Sequence, residues 1–421
     1  MPESLARVGP PSAPRASDVP LFLLAGLVVA VFVLKGTTVD GDAVLAGMAG
    51  TLVAVTAWRG WPRLGRANGA LFWGYLATIA VSTVASAQPP RWPAVAAAAG
   101  APLLARAVDA ALASTVARAI AFALVVGCAL LVVVPAAAWG ASSATDVRPL
   151  IYLPAIQWSG YPELGLLSGL GFAGLLAYGG ITPTTASRAS AWTLASAFAL
   201  AAVAMRSRAA VATLVVMTVL VAVSLLWWRR TFLTLVLIGL AMAVAVLRPA
   251  GSLSLESLGE RAKTLSQQLS SSAEAVARVE SWQRARLAIA EHPWVGRGPG
   301  RFPMSYPGEH AHNVVLHTAV ELGGVGATLF LLLWLHAIVT ATKGAGPTPE
   351  GRVALAVAAM LTSVLVRSQV DHFFSADTTT SVRCWIVFSV VWGLASSCAR
   401  NPRTDGRAAD DVSERPSARS A

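Results

Sequence analysis

The chain has 421 residues, of which 55% are hydrophobic and 13% are charged, and its formal net charge is +11. Long uncharged apolar runs occur throughout, and this composition excludes an ordinary soluble globular protein. In a membrane protein, a positive excess follows from loop topology and from attraction to anionic lipid. We therefore predict membrane lipids, and no nucleic acid, as partners.

The apolar runs predict the number of transmembrane helices. A bilayer core about 30 Å thick is crossed by roughly 20 apolar residues in a helix. Such runs lie at about 20–35, 42–58, 69–86, 92–108, 118–138, 162–179, 190–205, 209–227, 231–247, 314–341, 353–370 and 381–398. They predict an all-α polytopic membrane protein with about 12 transmembrane helices. The fourth run contains Pro93, Pro102 and many alanines, so ten or eleven spans remain an alternative.

The distribution of Arg and Lys predicts the orientation of these helices. If the amino terminus is cytoplasmic, the loops on that side carry most of the cations, as the positive-inside rule requires. The cytoplasmic tails are then 1–19 and 399–421, and the second has the composition of a disordered segment. Helices 1–9 fill 20–247, and helices 10–12 fill 313–398. The polar stretch 248–312 is one large, partly helical, extracytoplasmic loop.

The two arginines between the seventh and eighth runs are the first candidate site residues. Arg206 ends a run, where a cation that extends toward the membrane surface is as good an explanation as a ligand contact. Arg208 begins the next helix, where a cation opposes the helix dipole. A bound anion, such as a phosphate group, would compensate Arg208.

The large loop contains the sequence "AEAVARVESWQRARLAIAEHPWVGRGPGRF". It predicts an amphipathic helix, with Arg278 and Arg286 on one face and Arg284 on another, which Pro293 ends. The glycine-rich turn "GRGPGRF" follows, and its backbone amides could approach an anion. Solvated arginines paired with Glu274 and other acids remain the alternative.

The sequence H-N-x9-G-x-x-G begins at His312 and Asn313 and ends at Gly326. Together with Arg278-x3-Trp282, "EHPWVGRGPGRF" and the Ser-Arg pair at 207–208, this pattern resembles a signature of the bacterial O-antigen ligase and polymerase superfamily. The resemblance implies a helical GT-C-like fold. It also implies a glycosyltransferase without a cofactor, which moves glycan from a polyprenyl-diphosphate-linked donor to a glycan or lipid acceptor. Its active site would face outward from the bacterial cytoplasmic (inner) membrane.

The residue types fit this chemistry. A planar guanidinium binds phosphate oxygens through two hydrogen bonds and keeps its charge. We expect Arg208 and Arg278 to act on the diphosphate, and Arg206, Arg284 and Arg286 to assist in substrate binding. An imidazole ordinarily titrates near neutral pH and suits a general base. His312, which occupies the position of the motif's histidine, is therefore the expected base for the acceptor hydroxyl.

The neighbours of His312 have structural explanations. His317 lies roughly 500° further round a helix, so the two rings do not share a face, and we expect it to make a structural hydrogen bond. His310 would shape the loop. Asn313 would cap the following helix and assist at the substrate site. The glycines at 323, 324 and 326 would allow close helix packing.

Other sequence features leave alternatives open. The loop before the sixth run has Pro162-Glu163 where polymerases of the superfamily often have Pro-Asn, which makes Arg148 a weak substrate-binding candidate. Asp371 and His372, between the last two runs, would lie on the same side of the membrane as the other candidates, but a capped helix end with a loop is the favoured explanation. Asp40 and Asp42 stand in the first outer loop, where metal-dependent GT-C enzymes carry acids, but a polar turn explains them too. We predict no metal, and a membrane transporter is the remaining rival class.

Overall fold

A computed structural model describes residues 19–33, 39–60, 66–86, 92–142, 161–204, 208–226, 273–302, 311–368 and 379–398. Within these ranges the regular structure is helical, with no β-strand. The predicted all-α class is therefore confirmed. Arg148, Arg206, His310, Asp371 and His372 lie outside the described residues.

The described residues form 12 helices. They are α1 (Val19–Val33), α2 (Val39–Trp58), α3 (Arg66–Ala85), α4 (Trp92–Ala111), α5 (Thr115–Ser142), α6 (Tyr161–Gly180), α7 (Thr185–Ala204), α8 (Arg208–Leu226), α9 (Ala273–Glu291), α10 (Val314–Lys343), α11 (Pro349–Arg367) and α12 (Thr379–Cys398). All except α9 overlap an apolar run. The helix α9 is the predicted amphipathic helix, and it ends before Pro293 as expected.

The helices differ in whether their length and hydropathy suffice to cross a membrane. Within the described ranges, three helical segments are long and apolar enough, at Thr115–Val134, Val314–Lys343 and Pro349–Arg367. Shorter apolar helices lie at Val19–Phe32, Val44–Trp58, Gly69–Ala85, Leu164–Gly180, Ala210–Val223 and Arg383–Cys398. These segments define a helical membrane protein. The run at 231–247 lies outside the described residues, so the count of 12 spans stays a prediction.

Glycines on α6 let neighbouring helices approach closely. A Cβ atom at Gly171 would overlap the ring of Phe198 on α7, and one at Gly174 would lie 2.9 Å from Cγ of Met360 on α11. Small residues permit such backbone approach in membranes, where packing replaces the hydrophobic effect between helices. The helix α6 is consequently packed between α7 and α11.

Hydrogen bonds show which helix termini share an end of the bundle. The amide of Val314 donates to the carbonyl of Ser368 over 2.8 Å, so α10 begins where α11 ends. Ser82, near the end of α3, donates to the carbonyl of Glu321 over 2.7 Å. At the opposite end, Arg118 of α5 donates to the carbonyl of Ser397, at the end of α12, over 3.0 Å.

The start of α8 joins the first of these groups. Gly169 of α6 lies against Thr213 of α8 and Ser363 of α11, since a Cβ atom on it would be 3.3 Å from Thr213 Cγ2 and 2.9 Å from Ser363 Oγ. Thr213 is near the first residue of α8, and Ser363 is near the last residue of α11. The beginnings of α8 and α10 and the ends of α3 and α11 therefore lie at one end of the bundle, which we call the His312 end.

Candidate functional site

The helix α10 is broken in its third turn. Gly323 has φ 71° and ψ 179°, which is not helical. Such a break removes helical hydrogen bonds and leaves the carbonyls of the preceding turn in need of other donors. These carbonyls belong to Val320 and Glu321.

The turn that follows α9 supplies the missing donors. The amide of Arg297 donates to Val320 over 2.8 Å, and the amide of Gly298 donates to the carbonyl of Glu321 over 2.9 Å. In the reverse direction, the amide of Gly324 donates to the carbonyl of Pro293 over 2.7 Å. The turn and the broken helix therefore pair through their backbones.

Glycine is required at the points of contact. A Cβ atom at Gly323 would overlap the carbonyl of Trp294, and one at Gly296 would overlap the carbonyl of Glu321. Both residues have positive φ, which a residue with a side chain rarely adopts. At Gly326 a Cβ atom would overlap the side chain of Leu322. The prediction that Gly323 serves close helix packing is therefore wrong, because this glycine breaks the helix and receives a turn.

The carboxylate of Glu321 completes the junction. Its Oε1 accepts a hydrogen bond from the amide of Gly300 over 2.7 Å and one from Nε2 of His317 over 3.0 Å. The His317 ring stacks on Phe302, with centroids 5.2 Å apart and planes 11° from parallel. We call Gly300, Phe302, His317 and Glu321 the Glu321 clasp. The predicted structural hydrogen bond of His317 is confirmed.

The clasp corrects the interpretation of the glycine-rich turn. The sequence left open that its amides approach a bound anion, but those of Arg297, Gly298 and Gly300 donate to Val320 and Glu321. The amide of Arg301 donates within the turn, to Gly298, over 3.2 Å. The anion that this turn receives is therefore the protein's own carboxylate. Arg297 also forms an exposed ion pair with Glu291.

The two residues that flank His312 are both held by contacts with helices. It has φ 48°, and it is the one residue other than glycine with positive φ in the described part of the chain. On one side, Ala311 is buried against Ala285 and Ala288 of α9. On the other, Oδ1 of Asn313 accepts the amide of Leu316 over 2.9 Å and caps α10. The predicted cap is confirmed, and the side chain of His312 is half-buried.

Two helices that reach the His312 end, α8 and α9, carry four of the predicted arginines. Arg208 is the first residue of α8, and Arg278 lies on α9, although the side chains of both are outside the described part. Arg284 is half-buried, and its Nη2 donates to Oγ of Ser281 over 3.3 Å. Arg286 is exposed. Of the two assisting arginines on α9, Arg284 is therefore the more enclosed.

Two further arginines at the His312 end were missed as site candidates. Arg367, the last residue of α11, is 2% exposed, and Arg383, in the second turn of α12, is 1% exposed. Sequence reasoning used both only as loop cations. A signal was present for Arg383, because it stands inside an apolar run, where a charge is costly and usually functional. Glu321 carries the same signal as the single acid of the run 314–341.

Metal ligands were sought among the described side chains. No group of three His, Cys, Asp or Glu residues there is arranged to hold an ion. The side chains of Asp40 and Asp42, at the start of α2, are not described. The absence of a metal therefore stays a prediction.

The fold and this site define a helical membrane protein with a polar site around His312 at one end of its bundle. Residues 191–331 match the family model described as O-antigen ligase. The matched range runs from α7 into α10 and includes Arg208, Arg278 and His312, and it confirms the resemblance to the O-antigen ligase and polymerase superfamily. No curated protein matches the chain.

The family match also fixes the function at a coarse level. It indicates an O-antigen-ligase-like function in the synthesis of cell-surface polysaccharide. An enzyme of this family is of the glycosyltransferase type, and its substrates are a lipid-linked glycan and an acceptor. The apolar helices and the family together indicate a bacterial membrane as its location.

Proposed function

We propose that the protein transfers a glycan from a polyprenyl-diphosphate-linked donor to an acceptor hydroxyl at the His312 end of the bundle. One observation carries this proposal. His312, the histidine of the family motif, is held with a left-handed backbone between α9 and the start of α10. Backbone strain of this kind persists where the surrounding structure imposes it, and it is concentrated at functional sites.

The reaction exchanges one bond at the anomeric carbon of the glycan. The acceptor oxygen forms a bond to that carbon, and the bond from the carbon to the diphosphate oxygen breaks. His312 takes the proton of the acceptor hydroxyl as general base. The polyprenyl diphosphate leaves with the electron pair of the broken bond.

Arginines supply the charge that the departing diphosphate needs. Fixed cations aimed at a developing negative charge stabilise the transition state without reorganising. Arg208 and Arg278 fill this role, with Arg284 and Arg286 of α9 beside them. Two observations support this role: Arg208 begins α8, whose start lies at the His312 end, and the other three arginines lie on α9, which packs against Ala311.

The buried arginines Arg367 and Arg383 add positive charge to this end from two more helices. Arg367 ends α11, and the next residue, Ser368, accepts the amide of Val314 at the start of α10. Arg383 lies near the start of α12, whose far end contacts α5 at the opposite end of the bundle. Guanidinium groups keep their charge when buried, and they can hold a second partner while binding phosphate, because each has five donors. We assign them a supporting role in donor binding.

The topology of the proposal follows the cation distribution. The fold is GT-C-like with 12 spans, and the stretch 248–312 and the His312 end face outward from the inner membrane. The tails 1–19 and 399–421 are cytoplasmic. The acceptor is a glycan or a lipid, and the arginines replace a metal ion.

The test is glycan transfer by purified protein in liposomes, with a polyprenyl-diphosphate-linked oligosaccharide as donor and lipid or glycan acceptors supplied in turn. His312→Ala should lower turnover by about 10² to 10⁴ and leave donor binding nearly intact, as the loss of a general base does. His317→Ala should cost far less, since Glu321 keeps its hydrogen bond from Gly300. His336→Ala, toward the opposite end of α10, is the matched control.

Two outcomes would contradict this assignment. One is transfer at the parent rate by His312→Ala. The other is a larger loss in His317→Ala than in His312→Ala. Either would show that the motif histidine is not the base.

A further inference from the structure

Glu321 joins three separate parts of the chain. Its carbonyl accepts hydrogen bonds from Ser82 of α3 and from the amide of Gly298. Its carboxylate accepts one from the amide of Gly300 and one from His317 of the same helix. The residue thus ties α3, the turn after α9 and α10 to one point.

Glu321 lies between the arginines of α9 and His312, both of which the proposed reaction needs. The helix α9 carries Arg278, Arg284 and Arg286, and it reaches Glu321 through the turn at 292–302. His312 precedes the first residue of α10 by two positions, less than three helical turns before Glu321. Among the described residues, the buried apolar cluster between α9 and α10 is small: it contains Ala285, Ala288, Phe302, Ala311 and Val320, with Ile289 and Leu316 at its edge.

The geometry of the carboxylate shows which property of Glu321 matters. A single oxygen, Oε1, receives both the amide of Gly300 and Nε2 of His317. An amide oxygen at the same position would accept both bonds, whereas a carboxylate one methylene shorter would not reach them together. Reach, rather than charge, therefore sustains the clasp.

We propose that Glu321 is a positioning residue for glycan transfer: through the clasp it holds the arginines of α9 at a fixed distance from His312. The inference rests on the proposed function. A displacement of about 1 Å at a reacting centre can lower a rate about 10²-fold, although the displaced group is far from the chemistry. Loosening the clasp separates the group that binds the diphosphate from the base that acts on the acceptor.

The experiment compares Glu321→Gln, which keeps the reach and loses the charge, with Glu321→Asp, which keeps the charge and loses the reach. Donor KM and turnover are measured for both variants in liposomes. We expect Glu321→Gln to stay within about threefold of the parent turnover and Glu321→Asp to lose about tenfold or more, with donor KM little changed, because positioning acts on the transition state. Glu280→Ala, an exposed acid of α9, is the control for removing a charge nearby.

A second measurement needs no substrate. Cysteines at Leu287 of α9 (66% exposed) and Val325 of α10 (44% exposed) carry spin labels in a background without Cys128, Cys384 and Cys398. Pulsed electron resonance then gives the distribution of distances between the two helices. It should be narrow in the parent and in Glu321→Gln, and broad in Glu321→Asp.

The outcomes separate the two proposals. Loss of turnover in Glu321→Gln but not in Glu321→Asp would show that charge, not reach, is required, and would overturn the positioning role. A narrow distribution in Glu321→Asp would do so as well. If the parent transfers no glycan while the distances behave as expected, the clasp stands and the proposed function fails.

Discussion

Two histidines five residues apart, one just before the cap of α10 and one within the helix, have different surroundings. His317 is 2% exposed, stacked on Phe302 and bonded to Glu321. His312 is half-buried, and its backbone is left-handed. A ring that is enclosed and already bonded is suited to holding structure, whereas a partly exposed ring on a left-handed turn is suited to meeting a substrate. Position in the helix therefore divides the two roles.

At Arg278, the geometry of the side chain should matter as well as its charge. Arg278→Lys keeps the cation but loses the planar pair of donors, so it should still impair transfer by about tenfold or more. Donor binding and transfer are measured side by side in folded, inserted protein. Arg59→Lys, at the opposite end of the bundle, is the control. Parent activity in Arg278→Lys would show that a point charge suffices at this position.

The sequence predicted some residues of the site and not others, for a physical reason. Asn313 was predictable as a cap, because capping depends only on the next three residues. The contacts of Glu321 were not predictable, because its partner Gly300 lies 21 residues upstream and meets it only after the helix breaks. Spacing in H-N-x9-G-x-x-G does not reveal that Gly323 has positive φ. Contacts within one helical turn could thus be predicted from the sequence, and contacts that depend on the break in α10 could not.

The pairing of the turn after α9 with α10 depends on the break in α10. Gly323→Ala would put a side chain at φ 71° and against the carbonyl of Trp294. We expect a loss of about 1 to 3 kcal/mol in the free energy of unfolding from the backbone conformation alone. Thermal unfolding in detergent measures it.

The control for this prediction is Gly100→Ala in α4, where a Cβ atom would meet nothing within 4 Å. That change should be neutral or stabilise the protein by about 1 kcal/mol, because alanine favours a helix interior. Equal stability of the two variants would mean that the chain relaxes at Gly323 without cost.

The start of α2 bears on the metal question. Asp40 and Asp42 lie in the first turn of this helix, where negative charge is favoured by the helix dipole. A structural reason therefore exists for both acids. Transfer should survive EDTA, and Asp40→Asn combined with Asp42→Asn should retain most activity. Activity lost to EDTA and restored by magnesium or manganese would instead indicate a metal-dependent glycosyltransferase.

For the whole molecule, the apolar runs were a good guide to where helices form. Eleven of the predicted runs overlap described helices, since a membrane segment must satisfy its backbone hydrogen bonds internally. The run at 231–247 lies outside the described residues. Length and hydropathy together single out three helices among those described, since the other apolar helices there are 10–17 residues long.

The orientation of the molecule is tested most directly from outside the cell. Cysteines are introduced singly at Ser271 and Ser413, in a background that lacks Cys128, Cys384 and Cys398, and intact cells are treated with an impermeant thiol reagent. Because the cation asymmetry places 248–312 outside and 399–421 inside, the cysteine at 271 should be labelled and the one at 413 should not until the cells are opened. Labelling at 413 alone in intact cells would invert the topology and place His312 on the cytoplasmic face, away from a donor displayed on the outer one.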